Sequence, residues 1–401
     1  MNKRKAALGF IFVTLLIDVV GLGIIIPVMP SLLSGMTGGT ISDASKYGGW
    51  LMFSFAIMQF LFSPVLGALS DQYGRRKVLL ISMFGFCLDY LLMAWAPTLS
   101  WLFLGRIIAG ITGASFTTAA AYIADISTDE NRAQNFGMIG AAFGLGFIIG
   151  PTLGGILGNI GTRLPFMVSA GLTFINWLYG YFILPESLDE QHRRPFDIRR
   201  ANPAGSLVQL KKYPTVFGLV GSLVFIYIAA HSVQSTWTYF NMYAFHWNEA
   251  TVGYSLGFVG LLIALVQAVL IRYTIPTFGP RRSLYLGLLF YTLGLVLFAF
   301  ATRSWMMFVF SIPYCLGGIA GPALQSTISG QVPRNAQGEL QGALTSLMSL
   351  TSIIGPLLMT YVFYYFTRKD AWLYFPGSAF LLGAVLILLS TWIAYRKLGK
   401  P

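Results

Sequence analysis

Twelve long apolar segments follow one another along the chain, and each is long enough to cross a lipid bilayer as a helix. Only short polar or charged stretches separate them, so few other folds are open to this sequence. It predicts an all-α membrane protein with twelve transmembrane helices. The predicted spans lie at about 6–30, 47–69, 76–96, 98–124, 133–159, 164–184, 213–244, 250–274, 281–301, 303–330, 337–366 and 371–396.

The composition agrees with burial in a bilayer. Hydrophobic residues make up 56% of the 401 residues and charged residues only 10%, whereas soluble domains carry about 25% charged residues. The net charge of +12 could indicate nucleic-acid binding. However, the basic residues form short clusters between apolar runs, and no basic face carries base-stacking aromatic residues. The sequence therefore predicts no nucleic-acid partner.

One charged segment divides the chain. Residues 185–212 hold ten of the 40 charged side chains, which is typical of a solvated linker. The predicted organisation is an N-terminal six-helix half at 1–184, a linker at 185–212 and a C-terminal six-helix half at 213–401.

The two halves repeat each other. Several landmarks recur at a constant spacing of 205 residues, and two of the repeated pairs lie in the string IIGP. A constant offset over several positions indicates duplication rather than coincidence. The pairs are Gly74 and Gly279, Gly137 and Gly342, Gly150 and Gly355, and Pro151 and Pro356.

The distribution of lysine and arginine predicts the orientation. Twenty basic residues fall on the side of the termini and of the linker, and five on the other side. Basic loops stay in the cytoplasm, so both termini and the linker should be cytoplasmic. The first apolar run follows Lys3, Arg4 and Lys5, but it is too long for a signal peptide and has no cleavage site, so we expect a retained span.

The loop after the second span reads GALSDQYGRRKVLL. Its two glycines permit a tight turn between helices, and Asp71 can pair with Arg75 across that turn. Asp125, at the end of the fourth span, is a further partner. The pattern predicts a latch between helices; the alternative is a basic cluster that only sets topology. The predicted gating residues are Gly67, Asp71, Gly74, Arg75, Arg76 and Asp125.

The fifth span reads GAAFGLGFIIGPTLGG. Its glycines form a smooth face for close helix packing, and its proline removes a helix hydrogen bond and introduces a bend. A packing helix is one interpretation, and a hinge or seal between the halves is the other. The motif comprises Gly146, Gly150, Pro151, Gly154 and Gly155, with Gly140 and Gly144 on the same predicted face.

Three charged residues, Asp18, Asp89 and Arg106, lie within predicted spans. A charge at bilayer depth costs about 2.5–3.5 kcal/mol on insertion scales, so such residues usually face a cavity or one another. Asp18 precedes a segment loosened by glycine and proline, and it is the candidate for binding and releasing a proton. Arg106 is its predicted counter-charge. The alternative is a fixed structural ion pair.

Further polar residues in the spans could line a substrate cavity, although each could instead form a helix–helix hydrogen bond. His231 stands out because histidine titrates near neutrality. The candidate cavity residues are Gln59, Asn176, His231, Gln234, Gln267 and Gln325.

No nucleotide-binding loop, metal-ligand cluster or nucleophile motif is visible in the sequence. We therefore predict no catalytic residues, no metal and no cofactor. The energy for moving a solute should come from a gradient rather than from ATP bound to this chain. Cys87 and Cys315 fall inside apolar runs of different halves, which predicts buried thiols and no disulfide.

At these motifs the sequence resembles the major facilitator superfamily, specifically its twelve-span drug/proton antiporters and most closely the tetracycline/proton antiporter group. The strings that carry the resemblance are LLIDVVGLGIIIPVMP, MQFLFSPVLGALSDQYGRRKVLL, CLDYLLMAWAP, LGRIIAGITGA, FGLGFIIGPTLGG, HWNEATVGYSLGFVG and GPALQSTISG.

The resemblance implies roles in antiport for Asp18, Asp89 and Arg106, and a position in the cavity for Gln59. It also implies that the loop after span two is the family's gating motif and that the fifth span carries its antiporter motif. Two features depart from the tetracycline group. Its ninth-span acid is absent from GLLFYTLG, and Ile263 stands in place of its eighth-span histidine.

The expected function is proton-coupled export of an amphipathic, drug-like compound, tetracycline-like or otherwise, by alternating access. The alternative is a facilitator or a proton symporter for a small metabolite. The expected partners are a small-molecule substrate, protons and the lipid bilayer, with the chain acting as a monomer in a bacterial plasma membrane. An enzyme is not expected.

Overall fold

A computed structural model describes residues 3–113, 115–128, 131–196, 214–332 and 337–399, which form helices joined by turns. The predicted all-α membrane fold is confirmed. Of the predicted linker, residues 197–212 lie outside the described residues.

The described residues of the first half form eight helices, because the structure adds a short helix after the first predicted span and divides the fourth. The first span ends at Ile25, and a short amphipathic helix follows it before the second span begins. The fourth span is broken at Gly113 into two helices. The helices are α1 (Lys3–Ile25), α2 (Met29–Thr37), α3 (Ile41–Tyr73), α4 (Arg75–Trp95), α5 (Leu99–Thr112), α6 (Ser115–Ile126), α7 (Arg132–Ile160) and α8 (Leu164–Ile183).

The second half follows the same plan. A π-helical turn at Val266–Leu270 interrupts one span, and a 3₁₀ turn at Gly317–Ile319 interrupts another. The helices are α9 (Pro214–Phe245), α10 (Glu249–Leu265), α11 (Ile271–Ala299), α12 (Ser304–Leu316), α13 (Ala320–Ser329), α14 (Gln337–Thr367) and α15 (Ser378–Leu398).

Eleven helical stretches in the described residues are long and apolar enough to cross a membrane, and one of them, Glu249–Ala299, runs for 51 residues. That stretch contains two of the predicted spans. They are separated at Gly279, whose φ of 77° and ψ of 160° interrupt the helix. The twelve predicted spans are thus accounted for.

The duplication is visible in the backbone. Gly74 and Gly279, 205 residues apart, both adopt positive φ, at 99° and 77°, immediately before a helix that begins with basic residues. A side chain is strained in this region of φ, so glycine is needed at both turns. The break at Gly113 also recurs 205 residues later, in the turn containing Gly318.

The chain forms two compact units that differ from the predicted boundaries at two exchanged segments. Unit 1 comprises 1–38, 54–202 and 248–257, and unit 2 comprises 39–53, 203–247 and 258–401. The start of α3 belongs to unit 2, where the hydroxyl groups of Ser42 and Thr367 form a hydrogen bond with their oxygens 2.6 Å apart. The start of α10 packs within unit 1, where the Ser31 hydroxyl donates to Glu249 Oε1 at 2.5 Å.

Each unit has its own apolar core. In unit 1, Phe10, Leu79, Met83 and Tyr122 belong to one buried cluster that joins α1, α4 and α6. In unit 2, buried aromatic rings join α9, α11 and α15, with the Phe240 and Phe380 centroids 4.9 Å apart. Both cysteines are buried free thiols, one in each unit, as predicted.

Candidate substrate and coupling site

Asp18 lies in the interior of α1 and is only 3% exposed. Its neighbours Val19 and Val20 pack against α7. On another side α1 meets α4, where a methyl group on Gly21 would lie 2.7 Å from the Tyr90 hydroxyl oxygen. Tyr90 is also near enough to interact electrostatically with Asp18. The structure therefore places a buried carboxylate at a junction of three helices.

Asp89 and Arg106 form a buried ion pair between α4 and α5. Asp89 is fully buried and Arg106 is 6% exposed. Arg106 Nε donates to Asp89 Oδ1 at 3.2 Å, and Arg106 Nη2 contacts Asp89 Oδ2. The Phe55 ring covers the guanidinium, with its centroid 5.7 Å away. The predicted counter-charge relation is thus corrected. Arg106 pairs with Asp89 rather than with Asp18, because adjacent antiparallel helices bring these two side chains together.

The glycines of α7 allow it to lie directly against α1. A methyl group on Gly146 would lie 2.6 Å from Val19 Cβ, and one on Gly150 would lie 2.8 Å from the Val20 carbonyl oxygen. Gly154 similarly faces the backbone of Ile24. The opposing helix contributes Gly23, which lies against Gly150 and Pro151. Two helices at this separation leave no room for side chains, so the stripe sets the distance between Asp18's helix and α7.

The end of the stripe touches the exchanged segment of unit 1. Gly155 lies against Gly253 of α10, where an added methyl group would be 2.9 Å from Gly253 Cα. Gly140 and Gly144, which the sequence places on the same face, have no atom near an added methyl group. The close-packed face therefore begins at Gly146, because a spacing of four residues places Gly146, Gly150 and Gly154 on one buried face of α7, and Gly140 and Gly144 lie outside that row.

Replacing Gly154 with alanine should destabilise unit 1 by about 1–3 kcal/mol, because the added methyl group overlaps the backbone of α1. Gly144→Ala is the matched control, since the same change in the same helix meets open space there. It should leave stability unchanged or raise it by up to about 1 kcal/mol. Thermal unfolding of the two purified variants in one detergent measures the difference. Equal melting temperatures would show that α1 and α7 are not in tight contact.

The predicted gating residues come together at one end of unit 1. Arg75 Nη1 lies 2.5 Å from Asp71 Oδ1, and Arg75 Nε lies 3.2 Å from Asp125 Oδ2. Arg75 Nη1 also donates to the Ser70 hydroxyl at 2.6 Å, and that hydroxyl donates to the Gly67 carbonyl at 2.7 Å. The arginine side chain is 11% exposed. Through its two carboxylate partners it joins α4 to α3 and α6. This arrangement supports a latch.

Glu186 is a site residue that the sequence reasoning missed. Its carboxylate follows α8 and accepts hydrogen bonds from the backbone N–H groups of Arg75 at 2.8 Å and Arg76 at 3.3 Å, which cap the start of α4. A carboxylate at a helix N-terminus also interacts favourably with the helix dipole. The next residue, Ser187, donates its hydroxyl to Asp125 Oδ2 at 3.0 Å.

Arg76 takes part differently from Arg75. Its guanidinium donates to the Tyr181 carbonyl at 2.5 Å and lies over the Tyr181 ring. In the linker itself, the Arg194 N–H donates to the Asp71 carbonyl at 3.1 Å. Together with the contacts of Glu186 and Ser187, this bond holds the beginning of the predicted linker against unit 1. The sequence does contain an acidic residue, Glu186, just after the sixth predicted span. Its partners at the start of α4 could not be predicted because they are more than 100 residues away along the chain.

Arg75→Ala should depress transport strongly while leaving equilibrium substrate binding nearly unchanged. The reason is that Arg75 joins the ends of three helices through its ion pairs, whereas Asp18 is buried in the interior of α1. Transport into vesicles and equilibrium binding to the purified protein should be measured on the same preparation. Loss of binding by a normally folded variant would contradict a purely conformational role.

The candidate cavity residues have different surroundings. Asn176 is 1% exposed; it accepts a hydrogen bond from Thr14 at 3.3 Å and donates to Met83 Sδ at 3.4 Å. The helix–helix interpretation therefore accounts for it, because packing between α1, α4 and α8 uses its whole amide. Gln59 donates to the Gly113 carbonyl at 3.1 Å, at the break between α5 and α6.

In unit 2, His231 lies directly against Gly355, the glycine of the repeated IIGP string. Gln325 of α13 donates to Gln341 of α14 at 3.3 Å. Gln234 and Gln267 are exposed, and Gln267 lies in the π-helical turn. His231 is partly buried and is the ionisable residue of these four, since the other three are glutamines.

The chain matches the sequence profile of the Major Facilitator Superfamily over residues 11–274 and 223–401. It is 42% identical to the tetracycline resistance protein of class C from Escherichia coli over 96% of each chain. It is 39% identical to the class G protein from Vibrio anguillarum over 96% of each chain, and 35% identical to the class H protein from Pasteurella multocida over 98% of this chain and 97% of that one.

Solved transporters share the fold. A bacterial homologue of the human lysosomal transporter Spinster superposes with a TM-score of 0.80 at 15% identity, over 99% of this chain and 97% of that one. The human organic anion transporter MFSD10 superposes with a TM-score of 0.72 at 22% identity, over 98% of this chain and 100% of that one. The chain therefore belongs to the major facilitator superfamily of membrane transporters, within the group that contains the tetracycline resistance proteins.

Proposed function

We propose that this transporter exports an amphipathic organic compound in exchange for protons. The observation that carries the proposal is the burial of Asp18 in α1, at its junction with α4 and the glycine stripe of α7. A carboxylate at bilayer depth is costly and usually functional. Because Arg106 is taken by Asp89, Asp18 is the carboxylate that we assign to proton binding and release.

The exchange proceeds by alternating access. Protonation of Asp18 from one side and binding of substrate from the other exclude each other, so the proton gradient sets the direction of net transport. The Asp71–Arg75–Asp125 latch and the Glu186 cap hold the ends of α3, α4 and α6 together in one state of this cycle. Their release permits the other state.

Tetracyclines are the first candidate substrates, because the relatives named above are tetracycline resistance proteins. The two departures from that group lie in unit 2. Ile263 is 37% exposed in α10, and Tyr291 is 7% exposed in the segment without an acid. Neither of these side chains carries a charge, which favours a ligand that is bound without a second ionised group.

Everted membrane vesicles test the function. The chain should be produced in a host without related exporters, and tetracycline and a panel of amphipathic cations, anions and neutral drugs offered under an imposed pH gradient. Accumulation that collapses when the gradient is dissipated is the expected result. Gradient-independent equilibration of a small metabolite, with no drug accumulated, would instead support a facilitator.

We also propose that both termini and residues 185–212 are cytoplasmic, from the bias of twenty basic residues against five. Single cysteines at 189 and 195, introduced into a chain whose Cys87 and Cys315 are replaced by serine, should resist a membrane-impermeant maleimide in intact cells. They should react in everted vesicles. Cysteines at 303 and 369 serve as opposite controls. Labelling of the linker from outside intact cells would contradict this topology.

A further inference from the structure

Unit 2 carries a cluster of basic side chains that the transport cycle does not use. Arg281 and Arg282 begin the helix that follows Gly279, and Arg396 and Lys397 end α15. Arg282, Arg396 and Lys397 are exposed, and Arg281 is partly exposed. We call these four residues the α11–α15 basic patch.

Contacts between the two helix ends bring the cations together. The Tyr285 hydroxyl of α11 donates to the Gly399 carbonyl, just beyond α15, at 2.9 Å. Arg281 also reaches Gly399, where an added methyl group would lie 3.0 Å from Arg281 Nη2. Arg396 lies over the ring of Trp392, with its guanidinium carbon 4.3 Å from the centroid. The patch thus spans the joined ends of α11 and α15, and the aliphatic part of the Lys397 side chain lies against Gly218 of α9.

The charge of this patch is not compensated within the described residues, where none of its four cations forms an ion pair. The repeated turn in unit 1 shows the contrast. There Arg75 pairs with Asp71 and Asp125, and Glu186 caps the helix. The positions 205 residues after Asp71 and Asp125 are Pro276 and Gly330, which carry no charge.

Aromatic side chains mark the depth of the patch. Trp392 and Tyr395 are 53% and 46% exposed on α15, and tryptophan and tyrosine concentrate at the level of lipid headgroups. Guanidinium groups bind phosphate through paired hydrogen bonds. Basic pockets between transmembrane helices bind the headgroups of anionic lipids. The topology rule requires cations at this end of the spans but does not require four of them on the joined ends of two helices with no ion pair among the described residues.

We propose that the α11–α15 basic patch binds the phosphate headgroup of an anionic glycerophospholipid from the surrounding leaflet. The arginine pair and the Arg396–Lys397 pair contact the phosphate oxygens. Trp392 and Tyr395 lie beside the glycerol and the first acyl carbons. The bound lipid provides in unit 2 the negative charge that Asp71, Asp125 and Glu186 provide in unit 1.

Native mass spectrometry of the delipidated full-length protein tests the proposal. Phosphatidylglycerol and phosphatidylcholine with identical acyl chains are the two probes, and adducts should form preferentially with phosphatidylglycerol. Arg281→Gln/Arg282→Gln should weaken apparent binding roughly tenfold or more, because each cation near an anionic headgroup contributes several-fold. Arg396→Gln/Lys397→Gln, at exposed positions, provides a second variant in case the first does not fold.

The matched control is Arg303→Gln/Lys369→Gln, which removes two exposed cations from the opposite end of the unit 2 spans. It should bind phosphatidylglycerol as the wild type does. Equal binding by the wild type and both patch variants would overturn the proposal. So would full competition by inorganic phosphate at millimolar concentration, because the patch would then be a site for free anions rather than for a lipid.

Discussion

Vesicles containing the Asp18→Asn variant are expected to show no proton-driven accumulation of substrate. Asparagine preserves the size and much of the hydrogen bonding of aspartate but cannot ionise, so the exchange of a proton for substrate is lost. Because Asp18 is buried in the interior of α1, the neutral side chain should be accommodated without misfolding. Transport under an imposed pH difference should fall to the level of vesicles that lack the protein.

Two companion variants make this result interpretable. Asp18→Glu keeps an ionisable group at the same position and should retain part of the activity. Asp370→Asn removes an exposed carboxylate between α14 and α15 and should transport as the wild type does. Substrate binding by Asp18→Asn should persist. Full proton-driven accumulation by Asp18→Asn would refute the assignment and make Asp89 or His231 the next candidates.

Arg106→Gln should cause a large loss of stability. The change leaves the fully buried Asp89 carboxylate without its counter-charge. Removal of one partner of a buried ion pair costs about 3–5 kcal/mol. The variant should be produced at low yield and should lose its native size-exclusion profile on heating at a temperature well below that of the wild type.

The double variant Asp89→Asn/Arg106→Gln separates structure from coupling. It removes both charges, so no unpaired ion remains in the apolar interior, and most of the lost stability should return. Arg368→Gln is the matched control, because it breaks a pair with Asp370 in which the carboxylate is 77% exposed and the arginine 33% exposed. It should change stability by less than about 1 kcal/mol. A double variant as unstable as Arg106→Gln would show that the pair does not act as a unit. If the stable double variant also loses transport, the pair contributes to the cycle as well as to the fold.

The number of membrane spans and the duplication could be predicted because they depend on properties that are local in the sequence. An apolar run of bilayer length must become a helix wherever it is inserted. The recurrence of glycine at positions 74 and 279 is likewise visible in the sequence, and both glycines adopt positive φ in the structure. Asp18 could be identified from the cost of a charge in an apolar segment, and the Asp71–Arg75 contact from its spacing of four residues.

Only the tertiary structure decided which side chains meet across helices. It paired Arg106 with Asp89 rather than with Asp18, and it placed Glu186 on the backbone of Arg75, 111 residues away along the chain. It also placed residues 39–53, from the first half of the sequence, in unit 2, and residues 248–257, from the second half, in unit 1. Hydropathy specifies that a segment is buried in the bilayer, but lipid and protein interiors are equally apolar. Partners are therefore chosen by shape and by hydrogen-bond geometry, which exist only once the helices have packed.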